Sequence, residues 1–229
     1  MANKIECAPC GDGVEIVRLV STDRNIVIPE EHDGMRVVSL GDRFMMGSPS
    51  VDSRTVTVPA SVIRASPDAF SGTMGIKRIV YKGDFAVFNG FRLMAEYDCE
   101  VVSTFAGRDF SFPFQSGYHM SFPEFDEEIL KVSFKLSDDV AIRRLRDPVF
   151  LTDECRSKYA DRLRDRVMPI AEHAVTSNDP ESLMSIVDTG LLRDDDLRSL
   201  LRRAVTSGKT AMTSTIMSVL YSRSKNQKD

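Results

Sequence analysis

The chain has 229 residues, of which 42% are hydrophobic and 28% are charged, and it is long enough to form one or two domains around a buried core. Its formal net charge of −4 excludes a global electrostatic attraction to nucleic acid or to acidic membranes. Residues 1–12 are mostly polar, with Lys4 and Glu6 inside any signal-peptide core, and no apolar run approaches the roughly 18 residues that a membrane helix needs. We therefore expect a cytoplasmic protein that does not enter a membrane.

The hydrophobic period changes between the two halves of the chain. In the first half, short apolar alternations rich in β-branched residues lie at 26–28, 55–58 and 79–81, which is typical of strands. From about Leu136 the apolar residues instead recur every three or four positions, which is typical of helices. The change of period predicts an α+β protein with a β-rich domain at 1–131 and a helical domain at 132–229.

Two blocks of the first half repeat each other. Residues 37–45 align with residues 62–70 at a constant shift of 25 positions. An apolar strand that ends in a proline, Pro29 or Pro59, comes before each block. A period of this length, built from one short strand and one compact turn, predicts a β-solenoid in which neighbouring repeats stack to bury their apolar edges.

The residue strings of these blocks resemble a known repeat class. I-V-I-P-E-E-H-D-G-M-R-V-V-S-L-G-D-R-F (26–44) and V-T-V-P-A-S-V-I-R-A-S-P-D-A-F-S-G (56–72) are similar to BspA-like leucine-rich repeats, whose pattern is I-P-x-x-V-x-x-I-G-x-x-A-F, and the resemblance covers about 14–90. The departures are extra residues between Pro29 and Val37, Ala65 in place of the usual Ile, Pro67 within the second copy, and Lys82 in place of the third strand's Pro. The resemblance implies a short leucine-rich-repeat stack, with two good repeats and a degenerate third.

Aromatic residues are concentrated between positions 85 and 125. They include Phe85, Phe88, Phe91, Phe105, Phe110, Phe112, Phe114, Tyr118, Phe122 and Phe125. The alternation of Phe110, Phe112 and Phe114 predicts a strand with one aromatic face. We expect this segment to be a hydrophobic plug between the repeats and the helices, and an exposed aromatic patch for a partner stays open as the alternative.

The helical half carries start and stop signals. The predicted N-caps are Ser137 or Asp138, Thr152, Asp179 before Pro180, and Thr210, and the predicted stops are Pro148, Gly190 and Gly208. Pro169 predicts a kink or break near Val167 and Met168. The helix that starts at Asp194 to Asp196 has a predicted buried face of Leu197, Leu200, Leu201, Ala204 and Val205. For the last helix the predicted buried face is Met212, Ile216, Val219 and Leu220.

This half also repeats itself. The string A-V-T-S at 174–177 recurs at 204–207, a shift of 30 positions that also takes Ile186 to Ile216. A unit of one helix, a tight polar turn and a second helix that repeats every 30 residues resembles a degenerate ankyrin-type hairpin, although the usual T-P-L-H start is missing. The order of leucine-rich repeats followed by ankyrin-like helices is similar to multi-part BspA-like proteins of bacteria. Repeats of both kinds are scaffolds, so function would lie in the surface that they carry.

Residues that could perform chemistry are few. The histidines His32, His119 and His173 have no Cys, Asp or Glu at a recognisable ligand spacing, and no hydrolase, metalloprotease or P-loop motif is present. The four cysteines are Cys7, Cys10, Cys99 and Cys155. Cys7 and Cys10 form a C-x-x-C without a second half, so we expect free thiols, and a metal or redox role for this pair stays open. We therefore predict no catalytic residue, no metal, no cofactor and no enzymatic activity.

Arginine clusters occur on three predicted helices. They are Arg143, Arg144 and Arg146; Arg162, Arg164 and Arg166; and Arg198, Arg202 and Arg203. Aspartates interleave with all of them, which indicates a solvated face with local ion pairs. We expect no nucleic-acid binding, and a phosphate-binding stripe stays open as an alternative.

The strand face of the solenoid is the predicted functional surface. Alternation directs Ile26, Ile28, Val56, Val58, Ile79 and Tyr81 inward. It directs outward the candidate partner-binding residues Asn25, Val27, Thr55, Thr57, Arg78 and Val80. Leucine-rich repeats characteristically bind partners on this ladder, so the resemblance implies a non-catalytic protein-interaction module or scaffold, with a protein partner of unknown identity. A self-associating structural protein, a homodimer, is the main alternative.

Overall fold

The chain forms two compact units. The structure, a computed structural model, describes residues 4–132 and 136–226. The first unit ends at Glu128 and the second begins at Ile129, a few residues before the change of hydrophobic period. Strands dominate the first unit and helices the second, so the fold is α+β.

The first unit contains all the strands of the described residues. They are β1 (Lys4–Cys10), β2 (Gly13–Val20), β3 (Asn25–Val27), β4 (Glu31–His32), β5 (Met35–Leu40), β6 (Arg54–Val58), β7 (Arg64–Ala65), β8 (Ile76–Asp84), β9 (Cys99–Phe105) and β10 (Arg108–Phe114). Two short helices, α1 (Phe85–Asn89) and α2 (Glu124–Ile129), accompany them.

These strands form a β-solenoid-like arrangement of about four turns. One sheet contains the parallel strands β2, β5 and β7, and the other contains the parallel strands β3, β6, β8 and β9. The chain passes from one sheet to the other and back, so each passage completes one coil. The hairpin of β4 with β5 accommodates the extra residues between Pro29 and Val37.

The strand register confirms the repeat seen in the sequence. In the first sheet Leu40 lies opposite Ala65, which is the predicted shift of 25 positions. In the second sheet Ile26, Val56, Ile79 and Val101 lie opposite one another in that order. All six predicted inward side chains are at most 2% exposed. The core of the first unit is therefore a stack of apolar rungs between the two sheets.

Both ends of the solenoid carry elements that the repeat pattern did not predict. Strand β1 pairs antiparallel with β2 at the edge of the first sheet, and β10 pairs antiparallel with β9 at the edge of the second. Phe110, Phe112 and Phe114 of β10 are buried on one face, as their alternation predicted. The hairpins lengthen each sheet at one end beyond the region of recognisable repeats.

The aromatic residues of segment 85–125 are part of a core. All of them are buried except Phe105, which is half-buried, and Tyr97, which is 37% exposed. The Phe112 ring lies 5.1 Å from the Phe122 ring and 5.2 Å from the Phe125 ring, measured between centroids, with edge-to-face geometry. The alternative of an exposed aromatic patch is therefore wrong for these side chains, because they pack against one another.

A buried arginine connects the turns of neighbouring coils. Arg54, at the start of β6, has no exposed surface. Its Nη2 donates to the carbonyl oxygens of Ser21 at 3.2 Å and Pro49 at 2.9 Å. Its Nε donates to the carbonyl oxygen of Asp23 at 3.3 Å. Burial lowers the pKa of the guanidinium. These three contacts give the buried guanidinium hydrogen-bond acceptors from two turns of the chain.

The second unit consists of helical hairpins. Its helices are α3 (Asp138–Arg146), α4 (Asp153–Leu163), α5 (Val167–Ser177), α6 (Pro180–Val187), α7 (Asp194–Thr206) and α8 (Thr210–Asn226). Sequential helices pack as the pairs α3 with α4, α5 with α6, and α7 with α8, and α5 also packs on α7. The second unit is thus a layered set of hairpins.

Most of the predicted helix boundaries are confirmed. The side chains of Ser137, Thr152 and Asp179 each accept a hydrogen bond from a backbone N–H of the first turn. The break near Pro169 is real and falls at residues 164–166, between α4 and α5. The prediction for Thr210 is wrong by one position, because Thr210 is the first residue of α8 and not its N-cap.

The 30-residue repeat is confirmed in the turns. Asn178 and Gly208, at equivalent positions after α5 and α7, both have left-handed backbone conformations with φ of 56° and 65°. The next N–H group then donates back to the carbonyl of Ala174 at 3.0 Å or of Ala204 at 2.9 Å. The same tight turn therefore reverses the chain in both hairpins.

One predicted buried face is partly wrong. Val205 of α7 is 59% exposed, and Leu201 is only half-buried. Leu197, Leu200 and Ala204 are buried as predicted. On α8, Met212 and Ile216 are buried, but Val219 and Leu220 are half-buried. The reason is that neighbouring helices cover only one side of the α7–α8 hairpin, whereas the periodicity of the sequence predicts burial for every apolar position of the pattern.

We expect Gly75→Ala to destabilise the solenoid more than Gly117→Ala. Both glycines have positive φ, 81° and 85°. A Cβ on Gly75 would overlap the Val51 carbonyl oxygen, whereas a Cβ on Gly117 would meet nothing within 4 Å. The left-handed backbone alone should cost the Gly117 variant about 1 kcal/mol. Steric overlap should raise the loss to about 2–3 kcal/mol at Gly75. Equal losses of unfolding free energy in urea would contradict the close approach of these coils.

The Asp179 cap should make the second unit sensitive to acid. Hydrogen bonds from the Ser182 hydroxyl and backbone N–H hold the pKa of Asp179 below its usual value of 3.8. A carboxyl group whose pKa is lower in the folded than in the unfolded chain stabilises the fold at pH values above its unfolded-state pKa. That stabilisation is lost as the pH falls through the folded-state pKa. Asp179→Ala should therefore lower the melting temperature at pH 7, and the difference from the native chain should shrink below about pH 4. Asp179→Asn, which keeps the acceptor but cannot titrate, is the matched control.

Candidate functional site

The six candidate residues form two regular rows on the outer face of the second sheet. The first row runs from Asn25 to Thr55 to Arg78, each lying directly opposite the next. The second row runs in the same way from Val27 to Thr57 to Val80. The structure therefore brings all six side chains together, and we call this surface the strand ladder.

The strand ladder extends one strand further than the sequence indicated. On β9, Glu100 lies opposite Arg78 and Val102 lies opposite Val80. Sequence reasoning missed this strand because no recognisable repeat comes before it. The alternation of Cys99, Glu100 and Val101 was the available signal, and Cys99 and Val101 are indeed buried on the core side.

Exposure and charge differ between the two rows. In the first row the Arg78 Nε lies 3.5 Å from the Glu100 Oε2, and the two side chains are 50% and 41% exposed. An exposed pair of this kind contributes at most about 1 kcal/mol. The second row has no charged side chain: Val27 is 66% exposed, while Thr57 and Val80 are half-buried. Four parallel strands spaced about 4.8 Å apart make a face about 14 Å wide.

Rigid side chains occupy most of the strand ladder. Valine and threonine are branched at Cβ, so their χ1 rotamers are restricted before any partner binds. Their neighbours on adjacent strands restrict them further, because directly opposite side chains lie about 5 Å apart. The face can offer apolar contacts and the hydroxyls of Thr55 and Thr57 as hydrogen-bonding groups.

The histidines occupy local structural contacts. The His119 Nδ1 lies 2.6 Å from the Glu128 Oε1, and the backbone N–H of His119 donates to the Glu128 Oε2 at 3.0 Å. This pair, separated by only nine positions, was missed because no helix or strand places both residues on one predicted face. His32 lies 3.6 Å from the Asp33 carboxylate and His173 lies 3.4 Å from the Ser177 hydroxyl. Within residues 4–132 and 136–226, no three His, Cys, Asp or Glu side chains group as a metal site would require.

Cys7 and Cys10 are placed on the extended strand β1. Residues three apart on a strand lie about 10 Å from each other, whereas a disulfide needs Cα atoms about 5.5 Å apart. The Cys10 sulfur instead accepts a hydrogen bond from the Arg64 Nη2 at 3.3 Å. Burial, and then the Asp33 carboxylate, raise the pKa of Cys7. A disulfide between Cys7 and Cys10 would thus require β1 to leave its sheet.

Members of two of the three arginine clusters pair with nearby acids. The Asp138 carboxylate lies 3.6 Å from Arg162 and 3.1 Å from Arg166, and the Glu172 carboxylate lies 2.9 Å from Arg203. The predicted solvated face with local ion pairs is confirmed for these residues. It is wrong for Arg144 of the first cluster, which has no exposed surface and donates through Nη2 to the carbonyl oxygen of Val149 at 2.9 Å and through Nη1 to that of Asp147 at 3.3 Å.

Comparison with protein-family models, with curated proteins and with solved structures finds no match for this chain. No helix of the described residues combines the length and the apolar character needed to cross a bilayer.

Only two of the four cysteines should react with a thiol reagent in the native state. Cys7 and Cys10 are half-buried, whereas Cys99 and Cys155 are buried. Burial also raises the pKa of Cys99 to about 12, which removes the reactive thiolate. We expect a colorimetric disulfide reagent to titrate two thiols at pH 8 before denaturation and four afterwards. Rapid reaction of Cys99 in the Cys7→Ser, Cys10→Ser variant would contradict the burial of β9.

Proposed function

We propose that this chain is a non-catalytic, cytoplasmic protein-interaction module that binds a protein partner through the strand ladder. The proposal includes assignment of the coils to the BspA-like leucine-rich-repeat class, on the strings at 26–44 and 56–72, and of the hairpins to degenerate ankyrin-like repeats. The register that aligns the two rows across four parallel strands is the observation that carries the proposal.

The physical basis for binding is preorganisation. A partner that docks on branched side chains of paired strands does not have to order a loop or fix long flexible side chains. The uncharged row of Val27, Thr57 and Val80 would supply apolar contact. The Arg78–Glu100 pair on the adjacent row would orient the partner more than it would strengthen the complex.

The partner best suited to this surface is a protein segment or face that is itself shallow. The ladder presents parallel rows and no long charged projection apart from Arg78 and Glu100. Such a surface fits an apolar patch of the partner that has hydroxyl or amide groups at its margin. These groups can hydrogen-bond to the threonine hydroxyls of the ladder when binding displaces water from them.

We expect Thr57→Arg to abolish capture of the partner from the native cell lysate without lowering the melting temperature. Thr57 is half-buried between Val27 of β3 and Val80 of β8. An arginine side chain at this position can project from the face and would block close approach of the partner. Arg78→Glu should act in the same direction by placing two acids opposite each other. Quantitative mass spectrometry of the captured proteins is the measurement.

Two controls separate loss of the binding surface from general damage. Ile63→Arg changes a 52% exposed residue beside the first sheet and should leave capture intact. The double variant Arg78→Glu, Glu100→Arg restores an ion pair on the ladder with its charges exchanged, so its melting temperature should match that of the native chain while capture stays weak. Unchanged capture by the Thr57 and Arg78 single variants would refute the ladder as the binding surface.

A further inference from the structure

Three peptide bonds of this chain join an aspartate or asparagine to a following glycine. They are Asp12–Gly13, Asp33–Gly34 and Asn89–Gly90. In such a pair the backbone nitrogen of the glycine can attack the side-chain carbonyl carbon of the preceding residue, because glycine has no side chain to obstruct the approach. The product is a five-membered succinimide ring. Its formation requires the nitrogen and the carbonyl carbon to move together, so the surroundings of each pair decide whether it can react in the folded chain.

The Asn89–Gly90 pair is held at both of its reacting groups. The Asn89 Oδ1 accepts a hydrogen bond from the backbone N–H of Phe122 at 2.7 Å, and its Nδ2 donates to the Phe122 carbonyl oxygen at 2.9 Å. The backbone N–H of Gly90 donates to the Val87 carbonyl oxygen at 3.0 Å. Ring closure would break all three hydrogen bonds. The fold therefore shields this pair, although a carboxamide is a better electrophile than a carboxylate and would react first in an unfolded chain.

The Asp12–Gly13 pair is fixed by its neighbouring strand. Gly13 is the first residue of β2, is buried, and lies opposite Cys10 across the β1–β2 turn. A Cβ on Gly13 would overlap the carbonyl oxygen of Arg36, which shows how closely β5 approaches this backbone. Rotation of the Asp12–Gly13 peptide towards the Asp12 side chain would drive the chain into β5.

The Asp33–Gly34 pair has neither restraint. It is the whole turn between β4 and β5, because His32 and Met35 on either side of it are already paired. In a two-residue turn the ladder hydrogen bonds join the flanking residues, so the Gly34 N–H takes no part in them. The Asp33 side chain is 83% exposed, and its nearest charged neighbour is His32, with Nε2 at 3.6 Å from Oδ2. A Cβ on Gly34 would meet nothing within 4 Å, so the backbone there has room to rotate.

We propose that Asp33–Gly34 is the site at which the folded chain forms isoaspartate. The Gly34 nitrogen attacks the Asp33 Cγ, the new C–N bond closes the ring, and the carboxyl hydroxyl leaves with the amide proton as water. A second water molecule opens the ring at either carbonyl. One opening restores aspartate, and the other routes the backbone through the side-chain carbonyl as isoaspartate. No atom is oxidised or reduced, and water is the co-reactant. The turn belongs to the first sheet, so this inference does not depend on the proposed function of the strand ladder.

The first test incubates the full native chain for several weeks at physiological temperature and pH, beside the same chain unfolded in urea. Peptide mapping separates isoaspartate from aspartate by retention time. In the folded chain, modification at position 33 should exceed that at positions 12 and 89 by about tenfold or more, because exposed tips open far more readily than paired backbone. In urea, position 89 should react first. Isoaspartate that forms first at position 12 or 89 of the folded chain, or its absence at position 33, would overturn the proposal.

The second test compares two identical Asn–Gly pairs in one molecule. Asp33→Asn keeps a residue that suits a two-residue turn, so the melting temperature should not fall. In the folded variant, position 33 should deamidate about tenfold or more faster than position 89, since only their surroundings differ. In urea the two rates should converge. Equal rates in the folded variant would show that the Phe122 contacts do not shield Asn89, and would refute the assignment.

Asp33→Glu is the matched control for the chemistry. It keeps the exposed carboxylate, but ring closure would need a six-membered ring, which forms far more slowly. The peptide that contains position 33 should then stay unmodified in the folded chain. A product of the same mass and shifted retention time in this variant would mean that the modification arises elsewhere in the peptide, and would overturn the proposal.

Discussion

Hydrogen bonding between parallel strands of successive coils is the constraint on which the first unit depends. Because side chains alternate along a strand, a slip of one residue would turn every inward side chain outward. The apolar rung of Ile26, Val56 and Ile79 resists such a slip, since each member is almost completely buried. The same register that buries this rung places the outward residues in rows, so the geometry of the strand ladder is a consequence of the core behind it.

A stack of repeats always has two ends, and the two units treat their ends differently. The first unit adds antiparallel hairpins, β1 with β2 and β9 with β10, and covers the later coils with packed aromatic rings. The second unit keeps the side chains that a following hairpin would bury, such as Val205, exposed on its last described hairpin.

The elements that the sequence predicted well are those set by neighbouring residues. The caps at Ser137, Thr152 and Asp179 depend on hydrogen bonds within one turn, and the alternation at 26–28 depends on one strand. Strand β9 depends on pairing with β8, for which the local pattern carries only a weak signal. The His119–Glu128 contact spans nine positions, but it joins residues that share no helix or strand, so no periodicity marks it. Val205 was misplaced because an apolar position in a helix says nothing about whether a neighbour covers it. The ladder residues were located by alternation, but alternation does not identify a ligand.

The β4–β5 hairpin shows how this architecture can change in length. Ile26 and Val56 are neighbours in one rung although the chain between them is longer than that between Val56 and Ile79. The additional residues leave the coil as a hairpin whose tip, Asp33 and Gly34, has positive φ angles of 50° and 74°. Chain length and rung spacing are therefore independent variables, and a solenoid of this kind can acquire an appendage at that tip while its strands keep their order.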